Sequence, residues 1–241
     1  MIFTKQDIEQ YQFHLSAVQD RINKAAITSR RDPKEIQLIA VSKTHPIEAV
    51  KVFYKLGQRH FGENKVQEMA SKWEIFPVED IQWHMIGALQ TNKLKYLAKR
   101  ANWIHSISKP EQLKELQKRL TTENRKMNIL FQVNISNEDQ KSCCEPEQLD
   151  SLFSYMENCP SIIVRGLMGI GSLEAEAEDN RPQFRLLRTL LDEYKSKWKS
   201  ESINLTELSM GMTSDLEVAI EEGSTMIRVG TALFGHRDYS I

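Results

Sequence analysis

Eight short apolar runs, each followed by a stretch with helical spacing, limit what this chain can become more than any other feature of it. The runs fall at 36–41, 59–62, 81–86, 103–107, 128–133, 162–168, 205–209 and 225–229. Helix signals fill the gaps. Pro46 opens a segment carrying Ile47, Val50 and Tyr54 that Gly57 closes, and Pro110 precedes Leu113, Leu116 and Leu120. Pro146 opens another with Leu149, Phe153 and Met156, and Phe184, Leu187, Leu191, Tyr194 and Trp198 mark a long one. Strands that alternate with helices form a parallel sheet through right-handed crossovers. Eight of them favour closure into a barrel, with an open doubly wound sheet as the alternative.

One more helix precedes the rhythm. Ile8, Tyr11, Leu15, Val18, Ile22 and Ala25 make a single apolar stripe, and Thr4 with Asp7 has the spacing of a capping box. The expected fold is therefore α/β: a single (β/α)8 TIM-type barrel with an additional N-terminal helix, spanning 1–241 as one domain. Neither a low-complexity linker nor an internal repeat argues for a second unit. The longest loops, 134–146 and 169–182, both follow strands, on the face where such barrels build their sites.

Charge and composition remove several classes of function. Lys plus Arg number 32 against 33 Asp plus Glu, a net charge of -1, so no clustered basic surface for nucleic acid is expected. The N-terminal segment reaches charged residues too soon for a secretory signal, and no apolar run is long enough to span a bilayer. A soluble, cytoplasmic protein is expected. Three cysteines, two of them the adjacent Cys143 and Cys144, read as free thiols of a reducing compartment, either redox-sensitive or inert. No metal site is expected.

Three segments at strand ends carry candidate chemistry. In AVSKTHP (40–46), Lys43 would point its amine into the barrel mouth, where partial desolvation makes a nucleophile for carbonyls; an ordinary lysine reaching for water fits the same position. In LSMGMTSD (208–215), Ser209, Gly211 and free N–H groups suit a phosphate; a tight strand-to-helix turn with Ser214 as N-cap fits equally. In MIRVGT (226–231), Gly230 and Thr231 could serve the same anion or only a turn. Arg228 alternates with apolar neighbours and is expected to face inward, where it needs a partner, a core carboxylate being the plain choice. One barrel mouth would receive all three.

Five ordered segments, AVSKTHP, HFGENKVQE (60–68), WHMIGALQTNK (83–93), LSMGMTSDLEVAI (208–220) and GSTMIRVGTALFG (223–235), make the chain resemble the pyridoxal phosphate homeostasis proteins. These are small barrels related to the N-terminal domain of alanine racemase, and the likeness runs from about residue 10 to 235. The resemblance implies that Lys43 carries pyridoxal 5′-phosphate as a Schiff base. It implies that Ser209, Gly230 and Thr231 hold the phosphate, and that Asn64 and Met210 lie beside the cofactor. His84 is either a cofactor contact or a core histidine. Arg228 matches an arginine facing the pyridine nitrogen; since it cannot accept a proton, the ring would be a poor electron sink. Relatives often carry a second lysine where this chain has His45, a departure that bears on cofactor transfer, and Lys141 matches a lysine often followed closely by glycine, where Ser142, Cys143 and Cys144 follow here.

The resemblance implies a non-catalytic carrier or regulator of intracellular pyridoxal phosphate, monomeric, with apo forms of pyridoxal phosphate enzymes as candidate partners. The chain ends at Ile241, soon after the eighth run, so no β-rich second domain with a catalytic tyrosine is expected, and Tyr239 makes a poor substitute. Two alternatives stay open. One is a pyridoxal phosphate racemase or decarboxylase using His45 or Lys141 as base. The other is a Schiff-base aldolase without cofactor.

Overall fold

The computed structural model describes residues 3–136 and 142–235; Lys141 and Tyr239 lie outside them. The eight runs become eight parallel strands that close into a barrel in chain order, so the open-sheet alternative does not apply. They are β1 (Gln37–Val41), β2 (His60–Glu63), β3 (Gln82–Met85), β4 (Trp103–Ile107), β5 (Met127–Gln132), β6 (Ile162–Met168), β7 (Ile203–Ser209) and β8 (Met226–Val229). The ring is sealed by β1 against β8, with Gln37 to Ala40 opposite Met226 to Val229.

The helices that matter for the site are α1 (Lys5–Thr28), α2 (Ile47–Lys55), α3 (Val66–Ile75), α4 (Leu94–Arg100) and α5 (Pro110–Glu123). They are followed by α6 (Leu149–Tyr155), α7 (Arg181–Lys197), α8 (Leu216–Glu221) and the short α9 (Thr231–Phe234). Thr4 caps α1 reciprocally with Asp7, as the sequence spacing predicts. Ser214 is not the cap of α8. That place falls to Asp215, whose carboxylate instead accepts the Met212 N–H at 2.7 Å and closes the turn before the helix. A lone N-terminal helix needs something to bury its stripe on, and α1 packs against α2, α8 and α9 on the outside of the barrel.

Two cores result. The large one lies between strands and helices and includes Phe53, Phe61, Trp83, Phe131 and Phe153. The small one fills the barrel itself with Ile39, Leu130, Met168 and Met226. Branched aliphatics usually complete such an interior. Here His84, His105, Ser209 and Arg228 take part of that space, all buried.

β6 carries an irregularity that pins its register. Its pairing with β5 and with β7 shifts between Val164 and Gly166. A Cβ on Gly166 would stand 1.8 Å from the Glu207 carbonyl oxygen of β7. Gly166→Ala should therefore lose about 3 kcal/mol of stability, since strained overpacking in a fixed ladder has nowhere to relax; urea unfolding of the two proteins measures it, and a loss below about 1 kcal/mol would contradict this account of the bulge.

Candidate functional site

Every candidate segment lies at the C-terminal end of a strand, and five of the expected site residues meet around one cavity of about 410 Å³. Lys43, Asn64, Arg228, Gly230 and Thr231 line it. Val41, Ile86, Met168, Ile170 and Met212 supply apolar walls, and Thr213 and Ser214 add two hydroxyls. That size and mixture suit a small organic ligand held by a few polar groups. A larger cleft of about 640 Å³ lies at the opposite end, between Phe153, Met156 and the 197–203 turn, and none of the expected site residues lines it.

Lys43 stands two residues beyond β1, half-buried, on a turn with unusual backbone. The next residue, Thr44, has φ 68°. A β-branched residue in the left-handed region costs on the order of 1–3 kcal/mol, so something must hold it. The Thr44 N–H donates to Glu68 Oε1 at 2.6 Å. Ser42, on the other side of Lys43, is fully buried; its hydroxyl donates to Glu63 Oε1 at 2.6 Å and its carbonyl accepts from Lys72 Nζ at 2.7 Å.

Asn64 follows β2 and is pressed from behind by the turn after β3. A Cβ on Gly87 would meet the Asn64 carbonyl oxygen at 2.2 Å, so only glycine permits that approach. Asn64 Oδ1 is buried and has no hydrogen-bond partner in the protein. Leaving such an acceptor unmet costs about 1–3 kcal/mol.

Arg228 is buried and faces the cavity. The expected core carboxylate is not its partner. Nη1 donates to Ser209 Oγ at 2.7 Å and Nη2 to the Gly169 carbonyl at 3.1 Å, both neutral. Asp215 favours its charge only from beyond ion-pair distance, and burial lowers the guanidinium to about 10, still charged at neutral pH. A buried cation with neutral partners leaves its field directed at whatever enters the cavity.

Ser209, expected as a phosphate ligand, lies behind the cavity instead. Its hydroxyl is fully buried and occupied by Arg228 and by His105 Nδ1 at 2.9 Å. Met210 is also displaced: strand alternation turns it outward, into the core between barrel and helices. The hydroxyls of that segment that line the cavity are those of Thr213 and Ser214, four and five residues further on. They sit past Gly211, whose φ of 89° and close packing on Ala219 turn the chain across the barrel mouth. The outer helix braces both halves of this cradle: Arg21 of α1 donates to the Thr213 carbonyl at 2.9 Å, and His14 Nδ1 bonds the Leu233 carbonyl at 3.0 Å.

His84 is the core histidine of the two readings, not a cavity wall. It belongs to a chain that the sequence analysis missed. His60 Nδ1 meets His84 Nε2, His84 Nδ1 meets His105 Nε2, and His105 Nδ1 meets Ser209 Oγ, each at 2.9 Å. Arg228 only donates, so Ser209 accepts from it and can pass its own hydrogen to His105. If each ring then carries its proton on Nε2, every contact in the chain has one donor and one acceptor. Among the described residues no cluster of His, Cys, Asp or Glu is arranged to hold a metal ion.

Of the remaining candidates, His45 is not on the cavity wall and stacks on Phe234 with ring centres 4.9 Å apart. Burial raises the Cys143 thiol above its ordinary value and pushes Cys144 up to about 12, which favours the inert reading of this pair.

The chain has relatives among known proteins. The model of the alanine racemase N-terminal domain matches residues 13–238. The pyridoxal phosphate homeostasis protein of Aquifex aeolicus is 44% identical over 225 residues, 93% of this chain and 97% of that one. Its namesake in Escherichia coli K12 is 40% identical over 230 residues, 94% and 97% of the two chains. The chain belongs to the pyridoxal phosphate homeostasis protein family.

Solved structures extend the likeness. A protein of unknown function from Bifidobacterium adolescentis superposes with a TM-score of 0.89 at 30% identity, covering 97% of this chain and 98% of the other. PipY of Synechococcus elongatus, solved with pyridoxal phosphate bound, does so at 0.77 and 35%, covering 89% and 100%. Alanine racemase of Clostridium difficile shares the fold alone, at 11% identity and a TM-score of 0.72 over 57% of its length.

The histidine chain makes stability depend on pH. Burial lowers His60 to about 4 and holds His84 and His105 well below the ordinary histidine value, helped by each other and by Arg228. The unfolded chain binds these protons near pH 6.5 and the native state does not, so stability is full above that pH and falls as pH drops towards 4. Glu63, raised by burial to about 7, works in the opposite direction but is one group against three. From pH 7 to pH 5 the loss from His60 alone should be about 2 kcal/mol before that offset, with His84 and His105 acting in the same direction. Urea midpoints at the two pH values read it; equal midpoints would mean the histidines are not held neutral.

Proposed function

We propose that this protein binds pyridoxal 5′-phosphate in the cavity at the barrel mouth, held through Lys43, and that it buffers or delivers the cofactor without consuming it. The carrying observation is the convergence on one cavity of an amine, an asparagine, a buried cation without a carboxylate, and three hydroxyls. The cofactor's own groups match that set. Lys43 would take the aldehyde carbon as a Schiff base, and Asn64 would lie beside the ring. Thr213, Ser214 and Thr231, with the backbone at Gly230, would hold the phosphate. The apolar walls at Val41, Ile86, Met168, Ile170 and Met212 would exclude water from the ring faces. The bound cofactor supplies an electron-withdrawing ring able to stabilise charge on a carbon next to its imine nitrogen.

How far that capacity is used depends on this chain's own residues. Arg228 stays protonated and can only donate, so it would satisfy a neutral pyridine nitrogen without giving it a proton. Ser209 and Gly169 hold its guanidinium in place, and the histidine chain behind Ser209 stays neutral, so no acid stands on that side. This supports a role in holding the cofactor more than in using it. Names and structures of relatives support the same ligand. Among the described residues no helix is long and apolar enough to cross a membrane. We further propose a cytoplasmic monomer whose partners are apo forms of pyridoxal phosphate enzymes.

Purified protein incubated with pyridoxal phosphate should absorb near roughly 420 nm, the band of this cofactor's imine. Borohydride should then fix the cofactor on the peptide containing Lys43, and Lys43→Ala should abolish both signals. A colourless, unlabelled wild type would favour the cofactor-free aldolase instead. Rapid solvent-deuterium exchange at the α-carbon of amino acids by the yellow protein would make it an enzyme and overturn the carrier role.

A further inference from the structure

Behind the turn that presents Lys43 sits a buried ionic cluster. Lys72 of α3 directs its ammonium at three oxygens: Glu63 Oε1 at 2.6 Å, the Ser42 carbonyl at 2.7 Å and Glu68 Oε1 at 2.9 Å. Its side chain is 6% exposed and that of Glu63 0%, so their contact is made away from water, while Glu68 is 22% exposed and meets Thr44 at the surface. An ammonium has three hydrogens, and all three are committed. Two of the acceptors also bind the residues that flank Lys43: Glu63 takes the Ser42 hydroxyl, and Glu68 takes the Thr44 N–H. The cluster therefore grips the chain one residue before and one residue after the lysine.

Thr44 makes the grip more than packing. Left to itself, a threonine would leave φ 68° for the extended or right-handed region, and the peptide that carries Lys43 would rotate with it. The turn's own bond, His45 N–H to the Ser42 carbonyl at 3.0 Å, leaves the Thr44 N–H to Glu68, and Lys72 fixes the carboxylate that accepts it. Burial of a paired lysine among two carboxylates is weak evidence for a stabilising purpose, since apolar residues of the same volume often do as well. Holding a strained turn beside a reactive amine is a purpose that apolar residues could not serve.

We propose that Glu68, Lys72 and Glu63 are positioning residues that keep the Lys43 amine aimed into the barrel mouth and thereby set how long the protein retains its cofactor. This rests on Lys43 being the cofactor lysine. Attachment forms a C=N bond from Nζ to the aldehyde carbon and expels the aldehyde oxygen as water, and release adds that water back, so no oxidant or further reactant is involved. When the turn is released, the amine samples other directions, and each hydrolysed molecule is less often recaptured before it escapes.

Two substitutions and their combination test it. Glu68→Ala removes the acceptor for Thr44 while Lys72 keeps Glu63 and the Ser42 carbonyl; Thr44→Gly removes the strain, because glycine adopts this φ freely. Loss of the visible band after dilution into an aldehyde scavenger reads retention. A cofactor-free reading comes from the rate at which an amine-acylating reagent labels Lys43, followed by peptide mass. Glu68→Ala should lose cofactor about tenfold faster than wild type and change the pH profile of Lys43 labelling. In the Thr44→Gly background the same substitution should change the loss rate less than about threefold, whereas Glu68→Gln, which keeps an acceptor for Thr44, should stay near wild type.

An equal effect of Glu68→Ala in both backgrounds, or none in either, would overturn the proposal. Should Glu68→Ala not fold, Glu68→Met is compared with Glu68→Gln in its place: about tenfold faster loss for Glu68→Met alone supports the clamp, and equal retention by the two sinks it. Wild type that is not trapped at Lys43 by borohydride would mean the assignment of the lysine itself has failed, a result distinct from all of these.

Discussion

A guanidinium inside a barrel is the constraint around which the rest of this structure is arranged. Desolvating Arg228 costs several kcal/mol unless its donors are met, and a carboxylate would meet them at the expense of cancelling its charge. The fold does otherwise. It spends Ser209 and the Gly169 carbonyl on two nitrogens, keeps Asp215 out of ion-pair reach, and leaves the positive field open to the cavity. Ser209 in turn needs a partner for its remaining hydrogen, which brings in His105, then His84, then His60. Much of the polar interior follows from one buried cation.

The site grows from the same logic of tying down strand ends from outside. Each reactive position is held by residues on another element: Lys43 through its flanks by α2's neighbour α3, Asn64 by the turn at Gly87, and the Thr213 and Leu233 carbonyls by α1. Rigid support of this kind keeps a site in one geometry with and without ligand, at low ordering cost on binding.

Periodicity showed the barrel because strands of four to seven residues alternate with amphipathic helices, and that pattern has few topological solutions. Runs 103–107 and 162–168 coincide with β4 and β6 to the residue, and the Thr4–Asp7 spacing became a true capping box. Reading stopped at the loops. Ser214 looks like a cap and is a cavity residue, because Asp215 reaches back to Met212. Ser209 and Met210 looked like ligands because they stand in the matching motif, but a strand sends neighbours to opposite sides, and neither side here is the cavity. His60 and His105 carry alternation signals shared by any core residue, so only their mutual distances reveal a chain.

The sequence by itself determined the class of fold, the helix that precedes the barrel, and the strand ends at which Lys43, Asn64, Arg228, Gly230 and Thr231 would appear, since each follows from local spacing or from motifs read in order. Only the tertiary structure decided how those residues are used. The neutral partners of Arg228 come from β7 and the β6 loop, 19 and 59 positions away, and the cluster behind Lys43 joins β2 and α3 to a turn 21 to 30 positions earlier. Hydrogen bonds at such separations leave no periodic trace, because they depend on barrel closure and on which face each strand presents.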